Sequence, residues 1–205
     1  MSRTKYPISE DALMRAVFHQ VQSRGIARVS MDEVARAVRV SVGRLYAHFG
    51  NREALLASAY RTYSFWVDSR LDDRFSEYPE GQPFWPFWRM LVRHFIDDPD
   101  GRTFLTLFRE RESFLPLSEQ SRIVPYTLEL WLERNADLLG PAPLGAQALI
   151  VWGLLSASAS KLVGQRQRGP ISTNALGEAC WAALRAGRRG WTHPRGALRI
   201  FTPPR

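Results

Sequence analysis

The sequence predicts an all-α protein of about nine helices. Three observations carry that expectation. Apolar residues recur at intervals of three and four through nearly the whole chain, and helix-starting and helix-stopping residues bracket these runs. No segment alternates apolar with polar side chains as a half-buried strand would, and no internal repeat is visible.

The first helix opens at Ser9, a good N-cap, with Ile8 and Leu13 placed as a hydrophobic staple. Leu13, Ala16, Val17 and Val21 follow at helical spacing, and Gly25 supplies a stop. The second helix starts at Ser30, with Glu33 three residues on as the partner of a capping box, and is expected to bury Val34, Ala35 and Val38. A turn at Arg39-Val40 leads to a short third helix from Ser41 to about Ala47. Asn51 caps a long fourth helix through Ala54, Leu55, Ala59 and Tyr63 to about Phe75.

Two prolines and a glycine within residues 77–83 form the first clear punctuation. Further helices are expected at residues 84–96, 101–112 and 117–139. A break at 97–100 separates the first two, and Pro125 either lies near the start of the last or kinks it. After the loop Gly140-Pro141-Ala142-Pro143, two more helices follow near 144–166 and 173–188, parted by Arg168-Gly169-Pro170. Prolines 194, 203 and 204 make the rest an irregular or extended tail. The expected organisation is an N-terminal domain over 1–50, a helical domain over 51–190, and a basic tail over 191–205.

Apolar residues make up 45% of the chain, enough for a core, and the charged fraction of 23% suits a soluble protein. No apolar run approaches the ~20 residues needed to cross a bilayer. Residues 1–7 hold two basic side chains with no apolar stretch behind them, so they do not read as a secretory signal. The single cysteine, Cys180, excludes an internal disulfide and a multi-thiolate metal site. A cytoplasmic location is the default expectation. The net charge of +8 is uneven: residues 1–60 carry +4, residues 61–140 carry −4 and residues 141–205 carry +8. A basic N-terminal part fits phosphate neutralisation, whereas the Arg-rich C-terminal part has its commonest explanation in a solvated tail.

Three short helices followed by a long one suggest a helix-turn-helix module on a helical body. The string SMDEVARAVRVSVGRLYAHFGNREALL, from Ser30 to Leu56, is more specific. It holds an aromatic corner, Leu45-Tyr46-Ala47-His48-Phe49, before Asn51-Arg52-Glu53-Ala54-Leu55-Leu56, and Gly25 sits five residues ahead of Ser30. Over residues 8–60 the chain closely resembles the N-terminal domain of tetracycline-repressor-type (TetR/AcrR) regulators. Two positions depart from the family's habit: Arg39 stands where glycine is common in the turn, and Val42 where lysine is frequent.

Several readings rest on the residues themselves. Val34, Ala35, Val40 and Leu45 are small or medium apolar groups, as two closely crossing helices require. Ser41 can cap the third helix and offer its hydroxyl or N–H to a phosphate. Val42, Gly43, Arg44 and Ala47 should face solvent, which in a complex is the major groove. Arg44 is the candidate for a bidentate guanine contact, and Val42 could pack on a thymine methyl. Tyr46 and His48 match family positions at the phosphate backbone, with Arg52 able to act alike; Arg28 and Arg36 are outer phosphate candidates. The DNA-binding candidates are thus Arg28, Ser30, Arg39, Ser41, Val42, Gly43, Arg44, Tyr46, His48 and Arg52. Phe49 reads as a plug at the junction with the fourth helix.

The resemblance further implies a homodimer, through the helices near 144–166 and 173–188, and a cavity for a small molecule. The first of these helices carries Ser156, Ala157, Ser158, Ala159 and Ser160; the second carries Ala179, Trp181, Ala182 and Ala183. Small residues allow helices of two chains to approach. The middle segment is rich in aromatics, and Trp66, Trp88, Phe95, Phe104, Phe108, Trp131 and Trp152 are the candidate effector contacts. His94, Arg109 and Glu112 could add polarity. An aromatic cage with an acid suits a lipophilic cation. The stretch Phe108-Arg109-Glu110-Arg111-Glu112-Ser113 resembles fatty-acid-responsive members of the family, which suits an acyl chain.

The sequence therefore reads as a ligand-responsive regulator, most simply a repressor on a palindromic operator in double-stranded DNA, with a hydrophobic effector. No cofactor or metal is expected. An enzyme is disfavoured because no Ser-His-Asp arrangement or phosphate loop is visible, and His19, His48, His94 and His193 lack ligand spacing. Two more classes compete with the regulator: a DNA-binding protein without small-molecule input, and a membrane-surface protein using its basic C-terminus.

Overall fold

Ser9 caps the first helix as its sequence predicts: its hydroxyl accepts from the Ala12 N–H at 3.3 Å, and α1 (Glu10–Arg24) runs from there to Gly25. The structure is a computed structural model and describes residues 9–76, 84–120, 126–164 and 173–187. The staple residue Ile8, the proline-rich 77–83, Pro125, the 168–170 loop and the basic tail lie outside the described residues. Those described hold ten α-helical segments and no strand.

A 3₁₀ turn (Ile26–Arg28) joins α1 to α2 (Met31–Ala37), and α3 (Val42–Phe49) follows. Leu13, Met14, Val17, Phe18, Val21, Val34, Ala35 and Leu45 form the core among these helices. Val34, Ala35 and Leu45 are buried where the sequence placed a close crossing. Val38 is only half-buried, because it ends α2 and no longer faces that crossing squarely. Asn51 caps α4 (Arg52–Ser76) by accepting from the Ala54 N–H at 2.8 Å.

α4 is the spine of the molecule. Its near end packs on α1 and α3, and further along it meets α6 and α8. Asp68 on α4 accepts from the Thr127 hydroxyl at 3.0 Å. Arg61 grips Glu119 through two bonds of 2.7 Å, and that guanidinium holds the Glu119 carboxyl below the usual range. Both partners are solvent-exposed, so this pair orients more than it stabilises.

Beyond α4, α5 (Phe84–Val92) runs into a π turn (Arg93–Asp97), and α6 (Pro99–Arg109) folds back over it. Pro86 fits in α5 because the first turn of a helix has no carbonyl partner for an N–H there. The expected break at 97–100 is narrower than the sequence suggests. Asp98 alone is the junction, accepting from the Asp100 N–H at 2.7 Å, with Pro99 in the first helical position. Arg102 reaches back and donates to the carbonyls of Ile96 (2.8 Å) and Asp97 (2.9 Å), which the end of the π turn leaves open.

Of the helix expected over 117–139, the described residues give α7 (Leu117–Gln120) and α8 (Tyr126–Arg134), and it ends short of 139 in a 3₁₀ turn (Ala136–Leu138). Asn135 ends α8 by folding its amide onto the Trp131 carbonyl at 2.8 Å. α9 (Leu144–Gly164) and α10 (Thr173–Leu184) pack on each other, and α10 also rests on α5. Trp88 donates to the Thr173 carbonyl at 2.9 Å. Cys180 is buried under α10, and burial pushes its thiol up to about 12.

Gly101 marks the tightest approach. A Cβ there would lie 1.8 Å from the His94 carbonyl oxygen, which is backbone and has no rotamer to move. Gly101→Ala is expected to lower unfolding free energy by about 3 kcal/mol or more in urea titrations, the upper range for overpacking.

Candidate nucleic-acid interface and effector core

α2 ends in a Schellman turn. The Val40 N–H bonds the Ala35 carbonyl at 2.9 Å, the Arg39 N–H bonds Arg36 at 3.2 Å, and Val40 packs on the core. This closure places Arg39 at φ +57, the left-handed region that glycine normally fills. The turn thus keeps the geometry a glycine would give, and the arginine tolerates the strain.

Ser41 then caps α3, accepting from the Arg44 N–H at 3.3 Å. Leu45 is the single fully buried residue of α3. Ser41, Val42, Gly43, Tyr46, Ala47 and His48 are exposed and Arg44 is half-buried. Tyr46 is 49% exposed, while Phe49 packs against the core as expected, with the His48 ring edge-on at 4.6 Å. A Cβ at Gly43 would meet nothing, which leaves bare backbone on this surface. Arg28, Arg36 and Arg39 are exposed around α3 in the chain's N-terminal part. The result is a protruding helix with small, hydroxyl and aromatic groups among cationic side chains. That suits a groove edged by phosphates.

Two expected contacts turn inward. Arg52 donates to the Ala27 carbonyl at 2.9 Å and the Ile26 carbonyl at 3.4 Å, and to Glu53 through Nε (3.1 Å) and Nη2 (3.0 Å). It therefore clamps the 3₁₀ turn that carries Arg28 onto the start of α4. Ser30 is an N-cap by position without a side-chain cap bond, and the capping box does not form. The Ser30 N–H is taken at 2.8 Å by the buried Gln20 Oε1, while Glu33 pairs with Arg24. Sequence reasoning missed Gln20, although a signal was there: an amide between Val17, Phe18 and Val21 on the apolar face of α1.

The candidate effector residues divide into two groups. Phe95, Phe104, Phe108 and Trp152 stack into one, with ring centroids 4.9–6.4 Å apart in successive pairs. Tyr60 joins it, stacking on Phe104 at 5.0 Å, and Tyr63 lies 5.0 Å from Phe104. Trp66 borders the group, 5.5 Å from Tyr63, with Arg70 over its face at 3.7 Å. Trp88 and Trp131 belong elsewhere: Trp131 lies flat on Phe87 at 4.2 Å, and Trp88 stacks on Phe84 at 6.0 Å. Both are buried in the α5–α8–α10 packing.

Tyr63 links the first group to α1 of the N-terminal helices. Its ring lies 5.0 Å from Phe18 of α1, and its hydroxyl is 3.3 Å from His94 Nε2. Burial, then Asp98 and Asp100, raise its phenol far above the ordinary value, so it stays neutral. Of the polar candidates, His94 is half-buried against this ring, while Arg109 and Glu112 are exposed. Arg111, which sequence reasoning passed over, is the residue that turns in: its guanidinium carbon lies 4.2 Å from the Phe108 ring centroid. Its spacing of three from Phe108 on one helical face was the signal for it. Among the described residues no cluster of metal-ligating side chains exists, and no helix is long and apolar enough to cross a membrane.

The fold and this surface define a helix-turn-helix DNA-binding protein with a helical body. Residues 13–59 match the model of the tetR family of bacterial regulatory proteins. Over these residues the chain carries the N-terminal domain of that family, whose regulators are DNA-binding transcription factors. The whole fold is similar to solved structures. A TetR-family transcriptional regulator from Haemophilus influenzae is 17% identical, covering 86% of this chain and 96% of its own, with a TM-score of 0.64. The transcriptional regulator FadR from Bacillus subtilis, solved with stearoyl-CoA, is 14% identical, covering 86% and 98%, with a TM-score of 0.62. AibR, solved with isovaleryl coenzyme A and operator DNA, is 15% identical, covering 86% and 97%, with a TM-score of 0.61. At these identities the likeness is one of fold.

Two substitutions test how the surface is held. Gln20→Ala leaves the Ser30 N–H without its partner and is expected to cost about 1–3 kcal/mol in chemical denaturation. Arg39→Gly relieves the left-handed strain and is expected to raise stability by about 1 kcal/mol. If Arg39 also touches a phosphate, DNA affinity falls in the same variant and the salt dependence becomes shallower by about one unit of slope.

Proposed function

We propose that this regulator is a repressor that binds a palindromic operator as a homodimer and leaves it when a hydrophobic small molecule binds the body. The carrying observation is α3: a capped helix that fully buries only Leu45 and leaves Val42, Gly43, Tyr46, Ala47 and His48 exposed beside exposed arginines. In this reading Ser41, Tyr46, His48, Arg28 and Arg39 contact the backbone, while Val42, Gly43 and Arg44 read bases. Ser30 and Arg52 position that surface. Dimerisation through α9 and α10 is supported by their outer faces. Leu149, Gly153 and Ala157 are exposed at successive intervals of four on α9, as are Ala175, Ala179 and Ala183 on α10.

Effector release is supported by continuity between the aromatic core and α1. The rings of Trp152, Phe95, Phe104, Tyr63 and Phe18 form an unbroken series, and Gln22 of α1 bonds Asp100 of α6 at 3.3 Å. A ligand that re-spaces α6 would move α1 and, in a dimer, the separation of the two recognition helices. Two fold neighbours are complexes with acyl-CoA, one of them also with operator DNA, which supports small-molecule input to a DNA-binding protein.

Selection from a random duplex library at fixed moderate salt tests the reading. The intact chain should enrich an inverted repeat with half-site centres about one helical turn apart. Arg44→Ala should lose about 1–3 kcal/mol of discrimination at one symmetric position. Enrichment of no sequence, with binding that only tracks salt, would remove the operator-reading claim. A thermal-shift screen of a broad small-molecule library tests the effector claim separately, since a protein without small-molecule input gives no stabilising ligand.

A further inference from the structure

Two buried nitrogen donors on residues packed against the Phe108 ring have no acceptor. Trp152 is 4% exposed, its indole ring centroid lies 4.9 Å from that of Phe108, and its Nε1 has no hydrogen-bond partner. The Arg111 guanidinium lies over the same ring at 4.2 Å. Its Nη1 donates to the Phe108 carbonyl at 2.8 Å, but its Nε is buried and unpartnered. Another indole of the body shows the contrast, since Trp88, also buried, spends its N–H on the Thr173 carbonyl. A buried N–H without an acceptor costs folding free energy, so a native protein that keeps two around one ring has kept them for something that supplies the acceptor.

The rest of the surroundings describe the body of that group. The rings packed on or next to Trp152 and Phe108, those of Phe95 and Phe104, are buried and apolar. A cation has no lone pair for either donor and is repelled by the guanidinium, which counts against the lipophilic-cation chemistry. A carboxylate accepts from both donors and is attracted by the charge, so it gains most from this pair.

We infer that the effector core takes an amphiphile with an apolar body and a carboxylate head, the head accepting from Trp152 Nε1 and Arg111 Nε. The inference rests on the effector reading above and adds the polarity of the ligand. Its test uses the intact chain and probes of one chain length: decanoate, methyl decanoate, decanol and decyltrimethylammonium, all below their micelle-forming concentrations.

Titration calorimetry should find decanoate binding at least about tenfold tighter than the alcohol or the ester, and no binding of the ammonium probe. Trp152→Phe, which keeps a ring and deletes the N–H, should weaken decanoate about tenfold while leaving decanol unchanged. Arg111→Gln should do the same and so serves if the first variant folds poorly. In ¹⁵N spectra of the indole groups, the Trp152 resonance, assigned by its loss in Trp152→Phe, should move downfield with decanoate. Decanoate that fails to bind, a Trp152 resonance that stays put, or equal affinity for the ammonium probe overturns the carboxylate inference. A stabilising ligand of different chemistry from the broad thermal-shift screen would leave the effector reading standing in that case, whereas its absence there would remove both.

Discussion

Tyr63 sits where α1, α4, the π turn and α6 meet, and the packing of those four elements depends on that point. The ring is 1% exposed and touches Phe18, Trp66, His94 and Phe104, while its hydroxyl lies against His94. A phenol so buried is kept neutral by the cost of desolvating a charge. The DNA-facing helices and the aromatic body therefore share one dry junction. Gly101 makes the junction possible from the other side by letting α6 lie on the His94 carbonyl. Close packing of this kind transmits a displacement because a tightly filled interior has little volume in which to absorb it.

At the DNA-facing end, stability and exposure are divided between different residues. Gln20, Arg52 and the Schellman turn fix the backbone from inside, with bonds to Ser30, Ala27, Ile26 and Ala35. Arg39, Tyr46 and His48 are left outward and add little to the core. Arg39 even works against the turn that holds it, since only its backbone is needed there and glycine would serve better. A residue kept at a strained position in a solvent-facing turn fits a role outside the folded chain itself.

The body shows the opposite arrangement, in which aromatic residues of similar appearance serve different ends. Trp88 and Trp131 are consumed by packing: one satisfies the start of α10, the other lies flat on Phe87. Trp152 is similarly hidden but leaves its polar edge unsatisfied, and so does Arg111. That difference in hydrogen bonding, rather than ring type or burial, sets Trp152 and Arg111 apart from the aromatic residues spent on packing.

Helix starts, the turn and the recognition helix were legible in the sequence because they depend on neighbours within a few positions. Ser9, Ser41 and Asn51 cap as their side chains allow, and Gly25 ends α1. The end of the helix expected at 139 misled because apolar spacing continues past Arg134, while the Asn135 amide folds back on the Trp131 carbonyl and closes α8 there. The capping box failed for a similar reason: Gln20, ten residues away, reaches the Ser30 N–H first. Which tryptophans are spent on structure, and that Arg111 rather than Arg109 turns inward, depends on contacts between helices far apart in the chain. Local chemistry determined the elements and the exposed face of α3 in this protein. Tertiary structure decided which buried donors find an acceptor, because a hydrogen bond between distant segments exists only once the fold has brought them together.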